Sequence, residues 1–235
     1  MPVAGQHPAS PPRRPIRSYV RREGRITPSQ RRALETLWPL YGVETGDQPL
    51  NLEAIFGRRA PRVLEIGFGD GASLLEVARA HPETDYLGIE VHRPGIGRLL
   101  RAAHEAELDN LRLIRGDALQ VLQHNIPGSS LSGVQLFFPD PWPKKRHRKR
   151  RMVQPGFIQL VRQGLAPGGW FHLATDWEEY AWQMMELLEG APGLRNRAGP
   201  GRFLPDRGGR PPTKFELRGR RLGHGVWDLL FERVS

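Results

Sequence analysis

The chain has 235 residues, a formal charge of +10 and a sequence pI near 10.8, which suits one α/β domain with a tail or insertion and an acidic partner. It has no cysteine, which excludes disulfides, thiolate nucleophiles and cysteine-based zinc sites, and its eight histidines show no metal-ligand spacing, so no metal is expected. No apolar run approaches the roughly 18–20 residues of a membrane span, and the Pro- and Arg-rich start lacks the apolar stretch of a secretory signal, so a cytoplasmic protein is expected.

Residues 1–32 carry eight Arg against one Glu. Residues 1–17 are expected to be a disordered basic tail and 18–60 a basic arm holding one helix over 28–38, with Ala33, Leu34, Leu37 and Trp38 on one side. The main domain is expected to span 61–235. From Val63 onward, strands alternate with helices: strands at 63–66, 85–90, 111–115, 133–138 and 170–174, and helices at 72–80, 94–107, 117–123, 154–165 and 177–188. That rhythm predicts a doubly wound, mostly parallel sheet. Residues 190–212 break it with many Gly, Pro and Arg and read as a long surface loop. Thr213 and Glu216 fit a capping box that opens a short helix, and 226–232 reads as a final strand, antiparallel at the sheet's end.

Gly67, Gly69 and Gly71 form a tight turn between the first strand and its helix, where the backbone can approach a ligand closely. Glu65, inside the strand, would repel a pyrophosphate and welcome an ammonium or sulfonium. Glu90 ends the second strand, where an acid can take two ribose hydroxyls. Asp117, followed by Ala118, ends the third and could accept from an adenine amino group. Glu90 or Asp117 alone would more often be a helix cap or turn residue. Acids at three consecutive strand ends beside the glycines favour a cationic nucleoside, S-adenosylmethionine, over a dinucleotide.

The fourth strand runs into Phe137-Phe138-Pro139-Asp140-Pro141-Trp142-Pro143 and then a block from Lys144 to Arg151 in which seven of eight residues are Lys or Arg. Asp140 reads as an acid aimed at the crevice, or simply as a turn former. Asp176, at the end of the fifth strand, could face a guanine edge with it or cap the next helix. The basic block reads as a grip on phosphates or a solvated loop. Trp142 could stack on a base or pack locally.

The chain carries six linked segments of note: 63–71, 88–92, 137–147, 174–177, 213–216 and 223–228. Together they resemble the bacterial tRNA (guanine-N7-)-methyltransferases, class I enzymes that use S-adenosylmethionine, from about Ser18 to Arg233. The resemblance implies a Rossmann-like class I methyltransferase fold with a seven-stranded sheet and an antiparallel last strand, so that 61–235 would be the methyltransferase domain. It implies Asp140 as the active-site acid, and Glu65, Gly67, Gly69, Glu90, Asp117, Ala118 and Asp140 around the cofactor. Lys144, Asp176, Thr213, Lys214, Phe215 and Glu216 would meet the substrate. Arg146, His147, Arg148, Lys149, Arg150 and Arg151 would contact RNA. The implied reaction is methylation of N7 of the variable-loop guanine at position 46 of tRNA; whether the chain is a monomer or homodimer stays open. An RNA-binding protein of the same fold, or a base methyltransferase acting at another nucleic-acid site, are the alternatives. No role is assigned to the first 17 residues or to the loop around 199–210, and Asp70 stands at a position the family varies.

Overall fold

A computed structural model of the protein describes residues 25–221, 223 and 225–234; the expected tail at 1–17 and the first part of the arm, 18–24, lie outside the described residues. Seven strands form one sheet: β1 (Arg62–Ile66), β2 (Asp85–Glu90), β3 (Leu111–Arg115), β4 (Leu131–Phe137), β5 (Leu165–Thr175), β6 (Leu194–Asn196) and β7 (Trp227–Arg233). Their order is β3-β2-β1-β4-β5-β7-β6. β1 to β5 are parallel, β7 is antiparallel to β5, and β6 is antiparallel to β7. β6 therefore runs with the first five, and β7 alone is reversed.

Alternation along β1 shows why both faces are covered. Val63 points into a cluster with Ile96, Leu99, Leu111 and Ala33, whereas Leu64 and Ile66 join Val121, Phe157, Phe171 and Tyr180 on the other side. Helices α4 (Ala72–Ala80) and α5 (Arg93–Glu105) supply the first layer, and α6 (Ala118–His124), α7 (Pro155–Gly164) and α8 (Glu178–Glu189) the second. None of the helices among the described residues is long and apolar enough to cross a membrane.

The helix expected over 28–38 divides. α1 (Pro28–Thr36) starts with a complete capping box between Thr27 and Gln30, and α2 (Trp38–Tyr41) follows after Leu37. Pro39 has no N–H to give to the preceding turn, and its ring collides with the carbonyl four residues back, so one continuous helix cannot pass it. A further helix, α3 (Leu52–Phe56), lies outside the sequence expectations. Asn51 caps it, accepting from the Ala54 N–H at 3.0 Å, and Gly57 ends it at φ 71°. The segment packs against the domain: α1 lies on α5, and at the outer edge of β3 the Val43 N–H donates to the Leu113 carbonyl at 2.8 Å.

The stretch 190–212 is not simply a surface loop. It contributes β6, which pairs Leu194–Asn196 with Phe231–Arg233, and it delivers a buried arginine, Arg210. Three residues at a sheet edge leave too little periodicity to read from sequence. α9 (Lys214–Arg221) then leads back to β7.

Phe171, fully buried on β5, meets Phe157 edge-on with ring centroids 6.1 Å apart. Phe171→Ala is expected to cost about 3–5 kcal/mol of unfolding free energy, read from the midpoint of a urea titration at constant slope.

Candidate active site

The sheet order reverses between β1 and β4, and the carboxyl ends of those strands open a crevice. On its β1 side, Gly67, Gly69 and Gly71 take φ of 72°, 60° and 77°, a region closed to most side chains. A Cβ built at Gly67 or Gly69 would have no atom within 4 Å, so open space lies over the turn where a ligand can approach the backbone. Phe68 plugs the turn into the core beneath. Gly95, in the first turn of α5, lies so close that a Cβ there would come within 1.9 Å of the Gly69 carbonyl oxygen.

Glu65 is 4% exposed and its Oε2 has no hydrogen-bond partner among the described residues. Burial, and then the charge of Glu90, push its pKa up to about 8. A buried carboxyl lacking a donor is the fit expected for a ligand that brings a cationic one. Its register neighbour on β4, Gln135, is also buried, with an Oε1 that likewise accepts nothing among the described residues. Gln135 is absent from the sequence-based candidates; its polarity within an apolar strand is the one signal that marks it.

Glu90 has a structural task as well. One oxygen accepts from the Gly69 N–H at 2.9 Å, and the other from Val91 and His92 at 2.6 and 2.9 Å. It thus ties the glycine turn to the end of β2 while retaining lone pairs for a diol. Asp117 caps α6, accepting from the Leu119 N–H at 3.0 Å, and is half-buried beside buried Ala118. The capping and ligand readings of Asp117 are compatible. Asp70 stands on the rim, joined to Arg98 at 3.3 Å and to Lys214. Partial burial raises its pKa, but Lys214, the Ala72 N–H and Arg98 outweigh that and hold the carboxyl below its usual range.

Across the crevice, Asp140 is exposed just beyond β4. Phe138 and Trp142, on either side of Pro139-Asp140-Pro141, take φ of 52° and 41°. Left-handed conformations at bulky residues are strained and persist only where packing enforces them. Here Phe138 gives its N–H to the Ala174 carbonyl at 2.8 Å, and Arg151 gives its Nε–H to the Pro141 carbonyl at 2.8 Å. Asp176 follows β5, partly exposed; Trp177, not Asp176, occupies the cap position of α8.

The basic block forms a 3₁₀ turn over Lys145–Arg150. Lys144, Lys145, Arg146, Arg148, Lys149 and Arg150 are exposed and His147 half-exposed. Arg151 departs from the expectation: its side chain is fully buried, paired with Glu179 at 2.9 Å, bonded to Gln183 and laid over the Tyr180 ring at 4.8 Å. An arginine so placed braces the Asp140 turn and has no face to offer RNA. Trp142 packs edge-on with His147 at 5.7 Å, with the Arg150 guanidinium 4.9 Å from its ring centroid, which favours the local-packing reading of this residue.

Thr213 Oγ1 accepts from the Glu216 N–H at 3.2 Å, so the capping reading of Thr213 is realised. Glu216 itself is fully buried, its carboxylate paired with Arg210 at 2.6 Å and Arg207 at 3.3 Å. A direct substrate contact by its carboxylate does not agree with that burial. Lys214 reaches Asp70, bringing the 213–216 segment to the glycine turn; the side chain of Phe215 lies outside the described residues. His172 and Asp228, both buried and 2.9 Å apart, join Arg210 below the Asp140 turn. No sequence pattern points to this group.

A family model described as a putative methyltransferase matches residues 59–229. A tRNA (guanine-N(7)-)-methyltransferase of Alkalilimnicola ehrlichii is 60% identical over 223 residues, 94% of each chain. Another of Chromohalobacter salexigens is 57% identical over 236 aligned positions, covering 100% of this chain and 96% of that one. Among solved structures, the 16S rRNA methyltransferase KamB superposes with a TM-score of 0.58 at 17% identity, covering 83% of this chain and 99% of that one. TrmN from Thermus thermophilus gives 0.53 at 20%, covering 77% and 47%. At those identities the structures speak to the fold alone.

The raised Glu65 pKa makes stability fall with pH. Its ordinary value is 4.5 and its folded value about 8, so between the two the folded state holds more protons than the unfolded. Glu65 therefore stabilises least once pH passes 8. Glu65→Gln is expected to match the wild-type melting temperature near pH 5 and to exceed it near pH 8.5. Parallel melting curves of the two proteins across that range would contradict the buried, ligand-hungry carboxyl.

Proposed function

Because the chain belongs to the tRNA (guanine-N7-)-methyltransferase family, we propose that it methylates N7 of the variable-loop guanine at position 46 of tRNA, using S-adenosylmethionine. The observation that carries the reading is the buried Glu65 oxygen without a donor, set beside a glycine turn with open space above it. Both belong to the crevice whose other wall carries Asp140. Bound S-adenosylmethionine supplies a methyl group made electrophilic by a sulfonium. Glu65 takes its ammonium group, Glu90 its ribose hydroxyls and Asp117 its adenine amino group, with the backbone of Gly67 and Gly69 against it and Ala118 beside the base. A cytoplasmic location accords with a tRNA substrate.

Guanine N7 already presents a lone pair, so no side chain must remove a proton before attack. Positive charge develops on the purine as the bond forms. Asp140 orients the base and stabilises that charge, and Asp176 accepts from the guanine N1–H and N2–H₂ edge. Lys144, Thr213 and Lys214 meet the nucleotide around it. The target base leaves its stack to reach the crevice. Arg146, His147, Arg148, Lys149 and Arg150 hold the tRNA backbone. Arg151 and Glu216 act one layer back, bracing the segments that do the touching.

Incubation with labelled S-adenosylmethionine and unmodified tRNA, followed by mapping of the methylated nucleotide, tests the reading. Label at N7 of guanine 46 is expected; label at another site or on another atom refutes it. Asp140→Asn should reduce turnover about 100-fold, as removal of one preorganised electrostatic partner does, while changing cofactor affinity much less.

The exposed cations predict a steep salt dependence. Substituting Gln for Arg146, Lys149 and Arg150 together should flatten the slope of log affinity for tRNA against log salt by about two to three, roughly 0.7–0.9 for each phosphate no longer neutralised. A filter-binding series giving the wild-type slope would remove those residues from the interface.

A further inference from the structure

Arg210 closes the glycine-rich stretch over 190–212. Its side chain is 1% exposed. The guanidinium donates to both carboxylate oxygens of Asp228, at 2.6 and 2.8 Å, to Glu216 at 2.6 Å and to the Pro211 carbonyl at 3.3 Å. It also lies against two rings, 5.4 Å from the centroids of Phe137 and Phe138. His172 closes the group, 2.9 Å from Asp228 and edge-on to Phe137 at 5.1 Å. Burial alone would lower the Arg210 pKa, but Asp228 and Glu216 outweigh it and the net shift is upward. Burial likewise raises Asp228, but His172 and Arg210 bring it below its usual value. The ion pair is therefore charged on both sides.

Two functional segments meet on this one side chain. Phe138, in its left-handed conformation, lies two residues before Asp140. Glu216 lies in the first turn of the helix that presents Thr213 and Lys214. A buried ion pair adds little net stability over an apolar cluster of the same volume. What the planar, bidentate fork supplies is a fixed geometry.

We propose that Arg210 is a positioning residue for methyl transfer, locking the strand exit that carries Asp140 and the helix entry that carries Thr213 and Lys214 into one arrangement. The inference rests on the reading of Asp140 as the active-site acid. Arg210→Lys keeps the charge and loses the fork and the flat face. Its kcat on tRNA should fall about 10- to 100-fold, the scale of a displacement near 1 Å. Calorimetric affinity for S-adenosylmethionine without tRNA should stay within about threefold, because the glycine turn and Glu65 are untouched. Phe138→Gly accepts the same backbone angle without strain and removes one of the two rings against which Arg210 lies; it should lower kcat alike. The double variant should then be no slower than the slower single one, a coupling that independent structural effects would not give.

A folded Arg210→Lys enzyme with wild-type kcat overturns the proposal, and so does strict additivity of the two substitutions. If Arg210→Lys does not fold, Phe138→Gly decides: an unchanged kcat refutes the positioning role and a fall supports it. Asp140→Asn in the same assay separates the two readings. Full activity there refutes the acid assignment, whereas its loss beside an unimpaired Arg210→Lys refutes only the positioning role.

Discussion

The site depends on one topological constraint, the change of winding direction between β1 and β4. Right-handed crossovers carry the chain outward to β2 and β3 on one side and to β5 on the other, so the helices that follow diverge and leave the crevice between them. Glu65, Glu90 and Asp117 then fall at successive strand ends on one flank, and Asp140 and Asp176 on the other, although they lie far apart along the chain. Parallel register fixes their relative height. Glu65 stands beside Gly88 and Gln135, and a slip of one residue would turn Glu65 into the opposite hydrophobic layer.

Within that frame the two flanks solve opposite electrostatic problems. The β1 flank gathers acids where water is scarce. Glu90 accepts from three backbone N–H groups, while Glu65 has an oxygen with no such partner among the described residues and holds its proton to about pH 8. A cation brought against Glu65 would lower its pKa again, because it would stabilise the ionised form. The β4 flank is open to solvent and fringed by cations, suited to an anionic polymer that arrives with its own counterions.

The strand–helix rhythm and the glycine turn are readable from sequence because fully buried parallel strands are short apolar runs and the turn needs glycines. Strands β2 and β3 and helix α4 fall at the residues expected. What cannot be read has a physical cause in each case. Pro39 divides a helix whose apolar pattern runs through it. α3 carries adequate signals in Asn51 and Gly57 but spans only five residues. β6 exists through its pairing with β7, not through its own sequence. For the site, the acids can be placed from their position after strands, but the direction in which a side chain faces cannot. Arg151 and Arg210 look like any other arginine in a chain rich in them, and both turn inward. Glu216 spells a capping box with Thr213, yet its carboxylate is taken by arginines arriving from a loop with no periodicity.

Those inward arginines bear on how the Asp140 turn is held. Phe138 and Trp142 each occupy a conformation that costs on the order of 1–3 kcal/mol, and the turn between them is only half-buried, with Asp140 exposed, so the loop cannot supply that energy itself. The supports come from beneath and from the side: Arg210 under the two phenyl rings, and Arg151 on the Pro141 carbonyl. Pro139, Pro141 and Pro143 narrow the conformations open to the loop but do not choose among them. An acid held against strain by packed, charged groups is fixed in place before any ligand arrives. Such preorganisation is the condition under which a single carboxylate contributes most where positive charge develops.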